Sequence, residues 1–275
     1  MIKIDNVFFK YENSDNYVID GLNISIEKGE FVSLIGPNGC GKSTLARLLN
    51  GTLKAEKGNI NICGSDISDE DRLWDIRKKI QMVFQNPDNQ LVANVVEEEI
   101  AFGLENIRLS SGEIIKRIER TLIETDILDL KNRSTNMLSG GQKQKVAIAS
   151  ILAMEPEIIV FDEPTSMLDP RTRNDIFNLI RKLNKEKNIT IIYITHFMLE
   201  SAMSDRIIVL NSGKVEMDNK PSEIFRNIEK LKEYYLNAPS LINISYELNK
   251  IGLGSDEFIL DPEILAQKIA LKIKG

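Results

Sequence analysis

Gly36-Pro37-Asn38-Gly39-Cys40-Gly41-Lys42-Ser43-Thr44 has the spacing G-x-x-x-x-G-K-[S/T] of the phosphate-binding loop called Walker A. Its flanks have the texture such a loop needs. Phe31-Val32-Ser33-Leu34-Ile35 is a short apolar, β-branched run, and Thr44 to Asn50 is a helix former closed by Gly51. Glycines let successive backbone N–H groups turn inward around an anion, and the helix that follows adds its free N–H groups and positive dipole end. Lys42 then supplies a point charge for the β- and γ-phosphates, and Ser43 a hydroxyl for Mg²⁺.

Outward from the loop, strand and helix textures alternate. Ile2 to Tyr11, Leu22 to Ile26, Asn59 to Cys63 and Ile80 to Gln85 have strand character, and Leu73 to Lys79 is helical. From Val95 to Leu152 the pattern is almost wholly helical, with capping-box spacing at Ser110-Ser111-Gly112-Glu113, which marks an inserted helical subdomain. Strands return at Ile158 to Phe161, Ile189 to Thr195 and Ile207 to Leu210, around a helix that Asp169-Pro170 caps and starts. The last part is helical again: Pro221 to Arg226, Ser240 to Ile251, and Pro262 to Lys274 behind an Asp261 cap. Such alternation predicts an α/β fold around a parallel sheet.

A second nucleotide motif, Walker B, closes one of these strands. Ile158-Ile159-Val160-Phe161 delivers Asp162 at its carboxyl end, where a Mg²⁺ bridging the β- and γ-phosphates can be held. Glu163 is placed to orient or deprotonate the attacking water. The most discriminating stretch is Leu138-Ser139-Gly140-Gly141-Gln142. Ser139 and Gln142 have capping-box spacing, yet two glycines in a first helical turn cost ~1 kcal/mol each. Lys143 and Lys145 also oppose the helix dipole. Both choices suit a terminus that receives an anion at close approach. Since the chain already carries one phosphate loop, this second terminus is read as serving another subunit's nucleotide.

These motifs resemble those of the ATP-binding cassette (ABC) ATPases, in family order over residues 1 to about 225. The resemblance implies a P-loop NTPase (RecA-like) core with N-terminal antiparallel strands, a helical subdomain at about 95–155 and a helical C-terminal extension over 226–275. It implies ATP and Mg²⁺, with Ser43, Gln85 and Asp162 at the metal and Glu163 and His196 as the catalytic pair. Tyr11 matches the aromatic that stacks on adenine, Ser166-Met167-Leu168-Asp169 the loop that crosses the dimer interface, and His196 the histidine that contacts the γ-phosphate. Two cassettes then meet head to tail, so that Ser139, Gly140, Gly141 and Gln142 complete the partner's site. Cys40, Met167 and Lys145 stand where the family commonly has serine, alanine and arginine, and none of these removes a catalytic group.

Val83-Phe84-Gln85-Asn86-Pro87-Asp88-Asn89-Gln90 and Val96 to Asn106 are similar to the corresponding segments of energy-coupling factor (ECF) transporter ATPases, the group that includes cobalt-transport ATP-binding subunits. Gln85 to Gln90 favours the first of that group's two paralogues, and Ala238 to Leu253 resembles its C-terminal region. The resemblance implies uptake of a metal ion such as cobalt or nickel, or of a vitamin, through an integral membrane coupling subunit and a substrate-binding membrane subunit. Glu97-Glu98-Glu99 is either a first-turn match to the helix dipole or an acidic lure for a basic helix of the membrane subunit. Another ABC transporter class, a soluble ABC protein and a silent nucleotide-binding regulator are the alternatives.

Composition sets outer bounds. A formal charge of −6 suggests no nucleic-acid partner, and 42% hydrophobic with 28% charged residues is ordinary globular composition. No apolar run reaches the ~18–20 residues of a spanning helix, and the start lacks a signal-peptide core. With the transporter resemblance, which implies membrane partner subunits, the expected location is the cytoplasmic face of the membrane, as a peripheral subunit. Cys40 and Cys63 lack metal-ligand spacing and are read as free thiols.

Overall fold

A computed structural model describes residues 1–12, 14–254 and 257–274. The chain opens with two antiparallel strands, β1 (Ile2–Phe9) and β2 (Ile19–Ile26), whose inward residues alternate with exposed ones. Then come β3 (Phe31–Ile35), the loop 36–41 and α1 (Lys42–Leu49). β4 (Lys57–Ile62) and β5 (Ser65–Asp66) complete the small antiparallel sheet in the order β2-β1-β4-β5. α2 (Glu70–Lys79), capped by the Asp69 carboxylate, leads into β6 (Ile80–Val83).

A helical block follows: α3 (Val96–Asn106), α4 (Ser111–Glu124) and α5 (Gly140–Ala153). Val96, Ile100 and Leu104, spaced at i, i+4 and i+8, face Ile118 and Leu122 of α4 and Val146 and Ala149 of α5 in one apolar cluster. The sequence texture runs through this region without a break, but single 3₁₀ turns at Leu128–Leu130 and Thr135–Met137 interrupt it. The box at Ser110 is half made. Its hydroxyl accepts from the Glu113 N–H, while the Glu113 carboxylate turns to Arg117 instead.

The second half lays down β7 (Ile158–Asp162), α6 (Pro170–Lys187), β8 (Thr190–Ile194), the one-turn α7 (Met198–Ser201), β9 (Arg206–Asn211) and β10 (Lys214–Asn219). The main sheet runs β10-β9-β3-β8-β7-β6, parallel except for β10. Every residue of β3, β7 and β8 is buried, as a sheet covered on both faces requires. Strand alternation divides them: Ile158, Val160, Ile192 and Ile194 pack toward α1 and the small sheet, whereas Ile159, Phe161, Ile191 and Tyr193 pack toward α5 and α6. Ile148, Ile151 and Leu152 of α5 join the latter core, so α5 belongs both to the helical block and to the sheet.

The chain ends in α8 (Pro221–Arg226), α9 (Ile228–Glu233), α10 (Ser240–Asn249) and α11 (Pro262–Lys274). Ile224, Phe225, Ile228, Leu231 and Leu236 share a core with Ile35, Ile207 and Val209 of the sheet, which fastens this extension to the β9 side. Strand β10 and helix α9 are not evident in the sequence pattern. β10 buries no residue fully, so it shows no apolar periodicity.

Candidate active site

Because β3, β8, β7 and β6 are parallel neighbours, their carboxyl ends share one edge of the sheet. That order sets the loop 36–41, then His196, then Asp162-Glu163, then Gln85 side by side. Alternation along β7 then decides direction. Asp162 follows Ile158 and Val160 toward α1, and its Oδ1 accepts from the Ser43 hydroxyl at 3.0 Å. Burial lifts the Asp162 carboxyl, the Ser43 hydrogen bond opposes that lift, and the neighbouring Glu163 charge adds to it.

In the loop itself, the Lys42 ammonium donates to the carbonyls of Gly36 at 2.8 Å and Pro37 at 3.0 Å. Gly41 is the N-cap of α1, so no side chain caps that helix's first turn. Two glycines have packing reasons that the sequence does not reveal. A Cβ on Gly36 would lie 2.1 Å from the Leu210 carbonyl oxygen, and one on Gly41 would lie 2.8 Å from that of Val18. The loop is thus wedged from behind by β9 and by the approach to β2. Cys40 is buried against it, its Sγ 3.9 Å from Lys42 Nζ, and burial raises its thiol. The Tyr11 hydroxyl lies 3.1 Å from Thr44 Oγ1 and its ring meets Phe9 edge-on, with the residue 40% exposed beside the start of α1.

Glu163 carries a left-handed backbone, φ +51°, yet its N–H still donates to Ile194 O at 3.0 Å. A non-glycine residue held there costs of order ~1–3 kcal/mol, as strained residues at functional sites do. Its Oε1 lies 2.5 Å from His196 Nε2, and its Oε2 accepts from Gln85 Nε2 at 3.2 Å. Gln85 also donates to the Ser166 hydroxyl at 3.2 Å. Of the three residues expected around a metal, Ser43 and Asp162 therefore meet, while Gln85 binds Glu163 instead.

Ser139 and Gln142 form the full capping box: Ser139 N–H donates to Gln142 Oε1 at 3.0 Å, and Gln142 N–H to Ser139 Oγ at 3.4 Å. Among the described residues no hydrogen bond joins this turn to the loop 36–44, and Ser139 and Gly140 are exposed. The two glycines differ. A Cβ on Gly141 would strike Thr172 Cγ2 of α6 at 2.2 Å, whereas one on Gly140 would meet only Leu168 Cδ2 at 3.7 Å, an ordinary contact.

Two sequence arguments need correction. Lys143 and Lys145, which seemed to oppose the dipole of α5 without return, pair with Asp88 and Asp126. Their charges are answered from other segments, and no ligand is required to explain them. Nor is Glu97-Glu98-Glu99 an acidic patch. Glu99 is buried and accepts from the N–H groups of Val92 and Ala93, and Glu97 pairs with Lys131. Glu98 alone of the three is exposed.

The Asp88 contact belongs to a clamp that also explains the stretch after Gln85. The Asn86 side chain caps a 3₁₀ turn over Pro87–Asn89. Gln90 then accepts from Phe84 N–H at 3.1 Å and donates to Ala147 O at 3.3 Å. The segment bearing Gln85 is thereby stapled to the helix that starts at Gly140.

Comparison with known proteins agrees with this geometry. The model of the ABC transporter family matches residues 19–166. The energy-coupling factor transporter ATP-binding protein EcfA1 of Clostridioides difficile (strain 630) is 45% identical over 271 residues, 98% of each chain. That of Caldanaerobacter subterraneus subsp. tengcongensis is 46% identical over 272 residues, again 98% of each. Among solved structures, cbiO1 from Clostridium perfringens, part of the ABC transporter complex cbiONQ, superposes with a TM-score of 0.78 at 35% identity, covering 89% of this chain and 98% of that one. The dimeric ATP-binding cassette MJ0796 in a post-hydrolysis state bound to ADP and Pi gives a TM-score of 0.72 at 35% identity, covering 80% and 99%. With its loop, Asp162-Glu163 and Ser139 turn set out in this arrangement, the chain belongs to the ABC transporter ATPases, within the energy-coupling factor transporter ATP-binding proteins.

Proposed function

We propose that this ATPase powers an energy-coupling factor importer from the cytoplasmic face of the cell membrane, driving uptake of a metal ion such as cobalt or nickel, or of a vitamin. A membrane coupling subunit and a substrate-binding membrane subunit are its partners, and a second ABC ATPase chain, a copy or a paralogue, pairs with it head to tail. The alignment of Glu163, His196 and Gln85 on the edge next to the Ser43–Asp162 pair carries the reading.

The residues then divide the work. Lys42 and the uncapped first turn of α1 hold the phosphates, with Gly36, Pro37, Asn38, Gly39, Cys40, Gly41 and Thr44 shaping the cradle. Tyr11 offers its exposed ring to the adenine. The Ser43 hydroxyl and the buried Asp162 carboxylate form a pair of hard oxygen donors, the kind Mg²⁺ takes while keeping several waters. Bound there, Mg²⁺ would neutralise charge on the β- and γ-phosphates. Glu163 accepts the proton of the attacking water, His196 contacts the γ-phosphate, and Gln85 reports the state of the site along the clamp to α5. In the pair, Ser139, Gly140, Gly141 and Gln142 close on the partner's ATP.

The contrast between the glycines supports this last role and supplies a test. Gly141→Ala forces a clash with Thr172 and destabilises the fold by ~1–3 kcal/mol. Gly140→Ala meets no clash, gains ~0.5–1 kcal/mol of helix stability, and still slows hydrolysis in the assembled pair, because its added methyl faces the partner's nucleotide. Thermal unfolding and phosphate release separate the two; a Gly140→Ala pair with full turnover removes the cross-site role. The importer itself is tested by purifying the tagged chain from native membranes and identifying what accompanies it. Membrane subunits and a second ATPase are the expected companions, and recovery with a different transporter's subunits would reassign the class.

A further inference from the structure

Behind the Glu163–His196 pair lies a second carboxylate to which this mechanism gives no task. Glu200, in the single turn of α7, is 5% exposed. Its Oε1 accepts from the Thr165 hydroxyl at 2.9 Å, and its Oε2 from the Thr195 hydroxyl at 2.6 Å and the Tyr193 hydroxyl at 3.1 Å. Thr195 Oγ1 in turn accepts from Phe197 N–H at 3.0 Å. The neighbouring positive charge is Arg173 of α6. Its guanidinium sits 3.5 Å from the centre of the Phe197 ring and donates to Leu168 O at 3.1 Å. Burial pushes the Glu200 carboxyl up, and the three hydroxyls pull it back.

The positions of those hydroxyls matter more than their number. Thr165 stands two residues after Glu163, and the Ser166 that follows it holds Gln85. Thr195 immediately precedes His196. One side chain therefore ties the segment after β7 to the segment after β8, at the two places that bracket the 2.5 Å approach of His196 to Glu163. Burying a carboxylate is costly unless its lone pairs are met, and an apolar side chain would fill the same space at less expense. A one-turn helix cannot hold these segments by its own propagation either. A carboxylate has the acceptor capacity to take several hydroxyl donors at once.

We infer that Glu200 is a positioning residue for ATP hydrolysis, pinning the Glu163–Ser166 and Thr195–Phe197 segments to one point so that Glu163, His196 and Gln85 keep their mutual geometry. Glu200 acts through the segments it holds and not on the reacting atoms. The inference rests on Glu163 and His196 being the hydrolytic pair. Misplacing a reacting group by ~1 Å can cost on the order of 10²-fold, so loosening this bracket is a kinetic lesion.

The test uses Glu200→Ala, Glu200→Gln and Thr195→Val in the assembled ATPase pair, with Glu163→Gln as a control. Glu200→Ala and Thr195→Val are expected to lower kcat by ~10-fold or more, while KM and the affinity for a non-hydrolysable ATP analogue stay within about twofold. Glu200→Gln recovers most of the loss, since its carbonyl can accept from Thr195 and Tyr193 while its amide faces Thr165. Should the alanine variant not fold, Thr195→Val removes one arm of the bracket without changing shape and carries the same expectation. Full turnover in Thr195→Val, or a fall in ATP affinity parallel to the fall in kcat, overturns the proposal. If Glu163→Gln alone is slow, the positioning role fails and the hydrolytic pair stands; if Glu163→Gln turns over normally, the pair itself is wrong.

Discussion

Glu163→Gln is expected to slow ATP turnover by ~10²–10⁴-fold while leaving ATP binding intact. The substitution preserves shape. The Gln85 amide, 3.2 Å from Glu163 Oε2 in the native chain, can still donate to an amide oxygen, and the strained φ of +51° is asked of a residue of the same size. What vanishes is the charge: an amide cannot take a proton from water, and His196 loses the carboxylate 2.5 Å from its Nε2. On the roles proposed above, binding falls to other groups: Lys42, the first turn of α1 and the Ser43–Asp162 pair. ATP therefore stays on an enzyme that no longer consumes it, and closed pairs accumulate. Phosphate release measures the first effect, and nucleotide retention with size-exclusion chromatography the second. Unchanged phosphate release would move the base to another residue.

Most of this site was legible because its chemistry dictates its spelling. A phosphate loop needs glycines and a lysine at fixed offsets, and a strand buried on both faces must read as Ile158-Ile159-Val160-Phe161 does. Parallel strands then bring Gln85, Glu163 and His196 to one edge, although as many as 111 positions separate them along the chain. What stayed hidden were partners chosen by tertiary packing. Lys143 looked misplaced until Asp88, 55 residues away, was found beside it. Glu99 looked like part of a surface run, but it satisfies two loop N–H groups from inside. Glu200 gave only a faint signal, an acid flanked by Met198, Leu199 and Ala202, since a single turn is too short for periodicity to mark its buried side. Strand β10 was missed for the opposite reason, having no fully buried residue to set a pattern.

The clamp built from Asp88 and Gln90 gives the start and the middle of α5 different duties. Its middle is held to the segment of Gln85 through Ala147, and its start presents Ser139 outward. In the proposed head-to-tail pair, a displacement of Gln85 at this chain's own phosphate loop would be passed along that clamp to the turn assigned to the other nucleotide. Packed elements transmit such shifts when they move as bodies between discrete arrangements. Reciprocity follows, since whatever the partner's ATP does to Ser139 returns along the same path to Gln85.

Ser139→Arg separates the two duties. The cap it removes is worth ~0.5–2 kcal/mol, and the arginine stands on an exposed turn, so the fold tolerates the change. No hydrogen bond among the described residues links that turn to the loop 36–44, so this chain's own affinity for ATP is expected to stay as it was. In the proposed head-to-tail pair the arginine would occupy the space assigned to the partner's γ-phosphate, at the terminus of α5. Losing a single preorganised donor at such a place costs on the order of 10²–10³-fold in turnover, and a bulky side chain removes the whole turn. Hydrolysis at the partner's loop should therefore fall by at least that much. A pair in which one subunit carries Ser139→Arg and the other carries an inactivated loop of its own distinguishes the sites by which chain still releases phosphate. If instead the variant chain loses its own grip on a fluorescent ATP analogue, the Ser139 turn serves the loop of the same chain, and the head-to-tail pairing has to be abandoned.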